Sequence, residues 1–265
     1  MLFHILDLLR IKDWLKNLLI FLPLIFSENL VNSQYYYSLL LTFLIFSLVS
    51  SVVYILNDIQ DIHYDKNHPI KKNIKPLANG NLSVSFAKKL ILFLSVLIFL
   101  LLLYENRISF IILLYLLCNI SYNYFLKYIP IIDILIISIG YILRIESGSV
   151  IINVQSSLLM LCSIFFLSTF IISIKRRKEL ENSQSNKNIV KFYTVNYLKI
   201  TNYILCITTI VFYLIYVLTK NYFLIITLPI VVFVFLRYGY KCTGMKSFYE
   251  LSVGRNKFFL YTCHH

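Results

Sequence analysis

The sequence has little charge for its length, since only 14% of its 265 residues are Asp, Glu, Lys or Arg. An average soluble domain carries about 25% charged residues, so this shortage excludes an ordinary soluble domain. Instead, 59% of the residues are hydrophobic, and apolar runs recur along the whole chain. Many of these runs are long enough to cross a bilayer of roughly 30 Å. We therefore predict an all-α, polytopic membrane protein.

Other common features are also missing. The five cysteines form no CxxC pair and lie mostly in apolar runs, which favours small buried hydrophobic side chains over a redox or metal site. No cleavable signal peptide is evident, because the charged stretch RIKDWLK interrupts the apolar N-terminus. The sequence also has no internal repeat and no separate soluble domain. We therefore expect residues 1–265 to form a single integral-membrane domain.

The apolar runs predict about eight transmembrane spans. They are Leu15–Ser27, Tyr36–Leu56, Ala87–Tyr104, Ser109–Tyr124, Ile131–Ile151, Ser157–Ile174, Tyr203–Leu218 and Tyr222–Leu236. Basic residues are concentrated in every second connection between these spans, which is the distribution of the positive-inside rule. The net charge of +13 therefore indicates topology, with both termini in the cytoplasm, and not nucleic-acid binding.

The densest charge follows the second span, in the stretch NDIQDIHYDKNHPIKKNIKPLANG at residues 57–80. Asn57, Asp61 and Asp65 are spaced i, i+4 and i+8, so a continuous helix would place them in one stripe, with Asp58 beside it. Carboxylates at this density repel one another where water is scarce. Either lysines from the next turn or a hard divalent cation would neutralise them, and oxygen ligands of this kind suit Mg²⁺.

The second half of this stretch supplies Lys71, Lys72 and Lys75, between two prolines that break the helix into a loop. Carboxylates that hold a metal, beside lysines that hold phosphate, predict a magnesium–pyrophosphate site. The alternative is a solvated loop with positive-inside lysines. That alternative explains the lysines but not the stripe of aspartates.

Ionisable residues also occur inside the fifth predicted span. Asp133, Gly140 and Arg144 are spaced i, i+7 and i+11 and therefore share one helix face. Ionisable side chains at membrane depth are costly and usually mark functional sites. Asp133 follows closely after Lys127, which favours a role near the predicted metal site. Arg144 lies deeper, and neutralisation by Glu146 is an alternative to a functional role.

Two further basic stretches leave their roles open. RIKDWLKN, residues 10–17, is explained by an interfacial anchor before the first span. SIKRRKEL, residues 173–180, is explained by a stop-transfer anchor at the end of the sixth span. Both stretches are predicted on the same side of the membrane as the aspartates, so either could also contact an anionic ligand.

Taken together, these segments resemble the UbiA-type intramembrane transferase superfamily. Its NDxxDxxxD signature is found at Asn57, Asp58, Asp61 and Asp65. Within that superfamily, RIKDWLKN, DKNHPIKKNIKPLANG, LKYIPIIDILIISIGYILR and KRRKEL are similar to segments of the decaprenyl-phosphate phosphoribosyltransferase branch. The resemblance runs from residue 10 to about residue 240.

This resemblance implies a helical bundle around a central cavity that is open to the cytoplasmic face. The cytoplasmic mouth would bind Mg²⁺ and phosphoribosyl pyrophosphate, and a lateral opening would admit a polyprenyl phosphate from the bilayer. The enzyme would transfer the 5-phosphoribosyl group to the lipid phosphate and release pyrophosphate, for synthesis of cell-envelope glycan precursors. The resemblance also implies a location in a bacterial inner membrane and no nucleic-acid partner. Whether the protein forms a homo-oligomer stays open.

The resemblance also assigns roles to residues. The implied metal ligands are Asn57, Asp58, Asp61 and Asp65, and the implied catalytic residues are Asp58, Asp61, Asp65 and Lys71. The implied substrate-binding residues are Lys16, Asn17, Lys72, Lys75, Tyr122, Lys127, Asp133, Arg144, Lys175 and Arg176.

Three departures from the branch are visible. Position 75 is lysine where the branch usually has arginine, and position 146 is glutamate where it is usually small and apolar. The superfamily usually has nine spans, so we expect the last helix to be missing. A UbiA-type prenyltransferase remains an alternative, although the single Asp133 is not the second aspartate-rich motif that such enzymes usually have. An anion transporter is a further alternative, but its charges would follow a path across the membrane.

Overall fold

The structure is a computed structural model that describes residues 2–27, 32–68, 71–181, 193–220, 222–229 and 231–233. The regular elements in these ranges are all helices. The α-helices are α1 Leu2–Leu9, α2 Leu22–Phe26, α3 Gln34–Gln60, α4 Ile62–Asn67, α5 Lys71–Ile74, α6 Val84–Tyr104, α7 Ser109–Tyr124, α8 Ile132–Ile152, α9 Leu158–Glu181 and α10 Val195–Lys220. Short 3-10 helices are found at Ile11–Phe21, Asn106–Ile108, Leu126–Tyr128 and Tyr222–Thr227.

Five of these helices, α3, α6, α8, α9 and α10, are long and apolar enough to cross a membrane. The prediction of an all-helical, polytopic membrane bundle is therefore confirmed. Helix α7 coincides with the fourth predicted span, but its 16 residues are fewer than the roughly 20 that cross a full bilayer. Helices α9 and α10 extend beyond the predicted spans. In α9 the extension carries the ion-paired residues Arg176, Glu179 and Glu181.

The first predicted span, Leu15–Ser27, differs from the expectation of one continuous α-helix. It is formed by the end of the 3-10 helix Ile11–Phe21, followed by the short helix α2. Pro23 lies at the start of α2, a position that tolerates its missing amide hydrogen. The eighth predicted span, Tyr222–Leu236, lies partly outside the described residues, and its described part begins as a 3-10 helix.

Helix α3 is the most buried of the five long helices. Its apolar residues form the main core with α6, α7 and the 3-10 helix Ile11–Phe21. On the other side of the bundle, α8 packs against α9, and α9 packs against α10. Helix α8 also approaches the first 3-10 helix closely, because a methyl group on Gly148 would lie 1.9 Å from the carbonyl oxygen of Ile20.

The chain direction alternates, so that α3, α7 and α9 end where α6, α8 and α10 begin. Ion pairs link these ends, for example Lys127 with Asp61 and Arg176 with Asp133. We call this side of the molecule the charged end. The residues predicted to bind metal and phosphate are therefore brought together from distant parts of the sequence.

Candidate functional site

The predicted aspartate stripe is interrupted at Asp61. Helix α3 ends at Gln60 and α4 begins at Ile62, with Asp61 between them. The helical hydrogen-bond spacing nevertheless continues, because the Asp61 amide donates to the carbonyl of Asn57 at 2.9 Å and the Asp65 amide donates to the carbonyl of Asp61 at 2.8 Å. The stripe therefore survives the break, and its carboxylates stay on one side of the chain.

Two of these carboxylates share one ammonium group. Lys75 Nζ lies 2.7 Å from Asp58 Oδ1 and 2.5 Å from Asp65 Oδ2. The two aspartates are almost completely buried, with 3% and 1% of their side chains exposed. The loop after α5 thus returns a lysine to the stripe, as the spacing of the sequence predicts.

Three other cations complete this group. Arg10 donates to Asp58 at 2.6 Å, Lys127 donates to Asp61 at 3.0 Å, and Lys71 Nζ lies 3.8 Å from Asp65 Oδ1. We call these residues the aspartate cluster: Arg10, Asp58, Asp61, Asp65, Lys71, Lys75 and Lys127. Three carboxylates thus face four cationic side chains, so the cluster keeps a net positive charge when all are ionised.

The protonation of Lys127 supports this charge count. Burial by itself lowers the pKa of Lys127, but the hydrogen bond and the negative charge of Asp61 outweigh burial and raise the pKa above that of an ordinary lysine. Lys127 is therefore fully charged at neutral pH. Lys72, by contrast, is exposed and lies outside the cluster, although the sequence predicted it beside Lys71 and Lys75.

A divalent cation fits this group of oxygens. The buried Oδ1 atom of Asp65 accepts no hydrogen bond from the described residues. A buried carboxylate oxygen without a donor is costly, and a cation would satisfy it. No three Asp, Glu, His or Cys side chains in the described ranges converge into a complete metal-binding group, because lysines lie between the carboxylates. Mg²⁺ does not require such a group, since it usually binds through one or two carboxylates together with substrate phosphates.

A second charged group centres on Arg176 of α9. Its Nε donates to Asp133 at 2.9 Å, its Nη1 donates to Glu179 at 2.8 Å, and its Nη2 donates to the Tyr122 hydroxyl at 3.1 Å. The Tyr193 hydroxyl donates to the other oxygen of Asp133 at 2.8 Å. Two carboxylates therefore neutralise Arg176, and both oxygens of the fully buried Asp133 have partners.

Tyr193 and Glu179 are the residues of this group that no sequence motif assigned to the site. Tyr193 precedes α10, and its hydroxyl also accepts a hydrogen bond from the amide of Ile131. Burial raises the pKa of Tyr193, so its hydroxyl keeps its proton at neutral pH. The chain contains 21 tyrosines, and no spacing in the sequence distinguishes this one. Arg10 was missed as a site residue because a membrane anchor explained it equally well.

Arg144 lies deeper in the bundle and has only neutral partners. It donates to Asn17 Oδ1 at 2.6 Å, to the carbonyl of Gly140 at 2.6 Å and to the Tyr115 hydroxyl at 2.9 Å. The alternative that Glu146 neutralises Arg144 is wrong, because Glu146 makes no ion pair with it and lines a separate cavity near the far end of α8. Within the part of the chain that the structure describes, Arg144 is thus a hydrogen-bonded guanidinium without a counter-charge.

Aromatic rings surround this guanidinium. The rings of Tyr115, Tyr141 and Phe46 lie 5.0, 5.5 and 5.9 Å from Arg144 Cζ. A further ring, that of Tyr54, lies 5.9 Å from Lys16 Nζ. Such rings stabilise a cation without cancelling its charge.

Lys16 and Lys175 are two further cations of the charged end. Lys16 contacts Asp13 at 2.5 Å, and Lys175 is an exposed residue of α9 beside Arg176. We call Lys16, Arg144 and Lys175 the basic group. Asn17 is fully buried and forms hydrogen bonds with both Ser47 and Arg144. It therefore holds the guanidinium of Arg144 in place.

Comparison with known proteins gives a consistent family. The sequence model of the UbiA prenyltransferase family matches residues 20–248. The chain is 28% identical over 200 residues to decaprenyl-phosphate phosphoribosyltransferase from Corynebacterium glutamicum, which covers 72% of this chain and 60% of that protein. It is 27% identical over 201 residues to the protein of the same name from Mycobacterium tuberculosis, covering 72% and 66%. The match thus spans less than two thirds of these relatives' own length.

Solved structures confirm the expected fold. A UbiA homolog from Archaeoglobus fulgidus bound to GPP and Mg²⁺ has a TM-score of 0.73 at 18% identity, covering 96% of this chain and 92% of that one. The same homolog bound to DMAPP and Mg²⁺ has a TM-score of 0.71 at 18% identity, covering 89% and 85%. The bundle described above is therefore of the same type.

Proposed function

The chain belongs to the UbiA prenyltransferase family of membrane transferases, and on this premise we propose that it transfers a 5-phosphoribosyl group from phosphoribosyl pyrophosphate to a polyprenyl phosphate. The observation that carries the proposal is the presence of two basic regions that differ in their balance of charge and adjoin at Tyr54. The aspartate cluster combines cations with oxygen ligands, whereas Arg144 of the basic group has no carboxylate partner among the described residues. Two anionic substrates need two such regions, while a neutral aromatic acceptor needs only one.

The aspartate cluster is the proposed donor site. Lys71, Lys75 and Lys127 would contact the pyrophosphate of the donor. Their ammonium groups are point charges that adapt to a phosphate, and Lys75 has the charge of the arginine that the resemblance implies at this position. Bound Mg²⁺ would offset the negative charge of the leaving pyrophosphate, held by the oxygens of Asn57, Asp58, Asp61 and Asp65.

The chemistry at the sugar needs little acid–base catalysis. An oxygen of the acceptor phosphate forms a bond to C1 of the ribose, and the C1–O bond to pyrophosphate breaks, so that the pyrophosphate leaves with the bonding electrons. Because the acceptor phosphate is already anionic, no strong general base is required. The lysines act selectively on the transition state, since the charge on the leaving group grows as the bond breaks.

The basic group is the proposed site of the acceptor phosphate. Arg144 is 4% exposed and surrounded by aromatic rings, so an anion there would gain a strong interaction in a region of low dielectric constant. Lys16 and Lys175 would contact the same phosphate or the 5-phosphate of the donor. The bundle would position both substrates and exclude water, which would otherwise hydrolyse the activated sugar.

The charge distribution supports a topology for this function. We infer that the charged end faces the cytoplasm of a bacterial inner membrane, with both termini on that side, because basic residues concentrate there. A water-soluble donor would enter from that side, and the polyprenyl chain would remain in the bilayer.

The test is a transfer assay with purified protein in lipid nanodiscs, Mg²⁺, radiolabelled phosphoribosyl pyrophosphate and a polyprenyl phosphate. We expect label in the lipid phase that depends on Mg²⁺ and on the acceptor. Asp61→Asn, which removes the partner of Lys127, should lower the rate roughly a hundredfold. A parallel reaction contains an isoprenyl diphosphate and an aromatic acceptor. Transfer in that reaction alone, by protein shown to be folded, would refute the proposal.

A further inference from the structure

Tyr193 makes contacts that neither the motifs nor the proposed chemistry uses. Its hydroxyl donates to Asp133 Oδ1 at 2.8 Å and accepts from the amide of Ile131. Only 5% of the residue is exposed, and its ring packs with Ile134 and Leu198. One hydroxyl therefore joins the start of α10 to the start of α8.

The backbone that Tyr193 holds is strained. Ile131 has φ +70°, in a region that β-branched residues rarely adopt, and it immediately precedes α8. Such a conformation persists only when its surroundings over-determine it. The hydrogen bond to Tyr193 is a contact of this kind, and it lies two residues from Asp133.

The position of Asp133 then determines that of α9. Asp133 Oδ2 accepts from Arg176 Nε, so fixing this carboxylate fixes the guanidinium and the last turns of α9. Lys175 is the neighbour of Arg176 on the same helix, and its side chain is exposed at the charged end. The hydroxyl of Tyr193 thus influences the position of Lys175 through Asp133 and Arg176.

We propose that Tyr193 is a positioning residue, whose hydroxyl holds Asp133 and Arg176 so that Lys175 is directed toward the phosphates of the substrates. This inference rests on the proposed use of the basic group as a phosphate site. Arg176 itself is already neutralised by Asp133 and Glu179, so within this group it serves as the link and Lys175 supplies the charge.

The test is Tyr193→Phe, which keeps the ring and removes only the hydroxyl. We expect KM for the diphosphate donor to rise about tenfold while kcat stays within about threefold, because a binding charge is displaced. A purely structural role would reduce the amount of folded enzyme and would therefore lower kcat at an unchanged KM. Asp133→Asn should raise KM similarly, and the double variant should show no further rise, because both changes break the same chain of contacts.

Tyr197→Phe is the matched control, because Tyr197 stacks on Tyr193 but is 47% exposed. An unchanged KM in Tyr193→Phe, an equal effect in Tyr197→Phe, or additive effects in the double variant would each overturn the inference. The series is run with both phosphoribosyl pyrophosphate and an isoprenyl diphosphate. If the wild-type enzyme uses only the isoprenyl diphosphate, the proposed function is refuted. The role of Tyr193 is then tested by the effect of Tyr193→Phe on KM for the isoprenyl diphosphate.

Discussion

Replacing Lys75 by methionine tests the aspartate cluster most directly. The ammonium of Lys75 lies 2.7 Å from Asp58 and 2.5 Å from Asp65, and both carboxylates are buried. Methionine has a similar length and no charge, so the substitution leaves two carboxylates without their shared cation. Removing one partner of a buried ion pair costs about 3–5 kcal/mol. We expect a loss of about 3 kcal/mol, the lower limit of that range, because Arg10 still contacts Asp58 and Lys71 lies 3.8 Å from Asp65.

The measurement is thermal unfolding of the purified protein in detergent, with EDTA and with Mg²⁺ or Mn²⁺. Without metal, the unfolding temperature of Lys75→Met should fall by roughly 6–12 °C. Added metal should restore most of this loss, because a divalent cation would occupy the region between Asp58 and Asp65. Mn²⁺ should also bind more tightly to the variant in an electron paramagnetic resonance titration. Lys72→Met is the control, since Lys72 is exposed and lies outside the cluster. Equal stabilisation of wild type and variant by metal would refute this reasoning.

Two further substitutions test other parts of the structure. In steady-state kinetics, Arg144→Met should raise KM for the polyprenyl phosphate roughly tenfold or more, because it removes the cation that has no carboxylate partner among the described residues. KM for the donor should rise much less. Equal rises in the two KM values would contradict this assignment. Gly148→Ala should prevent folding or lower the unfolding temperature strongly, because the new methyl group would lie 1.9 Å from the carbonyl of Ile20. Gly140→Ala, whose methyl group would meet its nearest atom at 3.4 Å, is the control, and equal melting curves for the two variants would disprove the close approach.

The sequence predicted well those features that depend on neighbouring residues. The long apolar runs indicated the spanning helices, and the i, i+4, i+8 spacing placed the aspartates on one side of the chain. The sequence left open whether lysines or a divalent cation would neutralise these aspartates, and the structure places Lys75 between Asp58 and Asp65. Helix periodicity specifies such local arrangements without reference to the rest of the fold.

The sequence predicted less where contacts depend on how helices rotate against one another. Neutralisation of Arg144 by Glu146, two residues away, was one of two alternatives, but residues at that spacing do not face each other on a helix. Its partner Asn17 is 127 positions distant, which no local pattern shows. No local pattern indicated the 3-10 geometry of the first span either, where the backbone at Ile20 lies against Gly148 of another helix.

The structure distinguishes basic residues that the motifs treat alike. Arg176 and Arg144 both belong to family-like segments, yet Arg176 is neutralised by two carboxylates and Arg144 by none. A buried cation without a counter-charge is costly unless an anion accompanies it, whereas a neutralised one is not. The same reasoning applies to Lys75, whose two carboxylate partners must be shared with any metal that binds there. The balance of charge around each cation therefore separates two arginines that the sequence motifs treat alike.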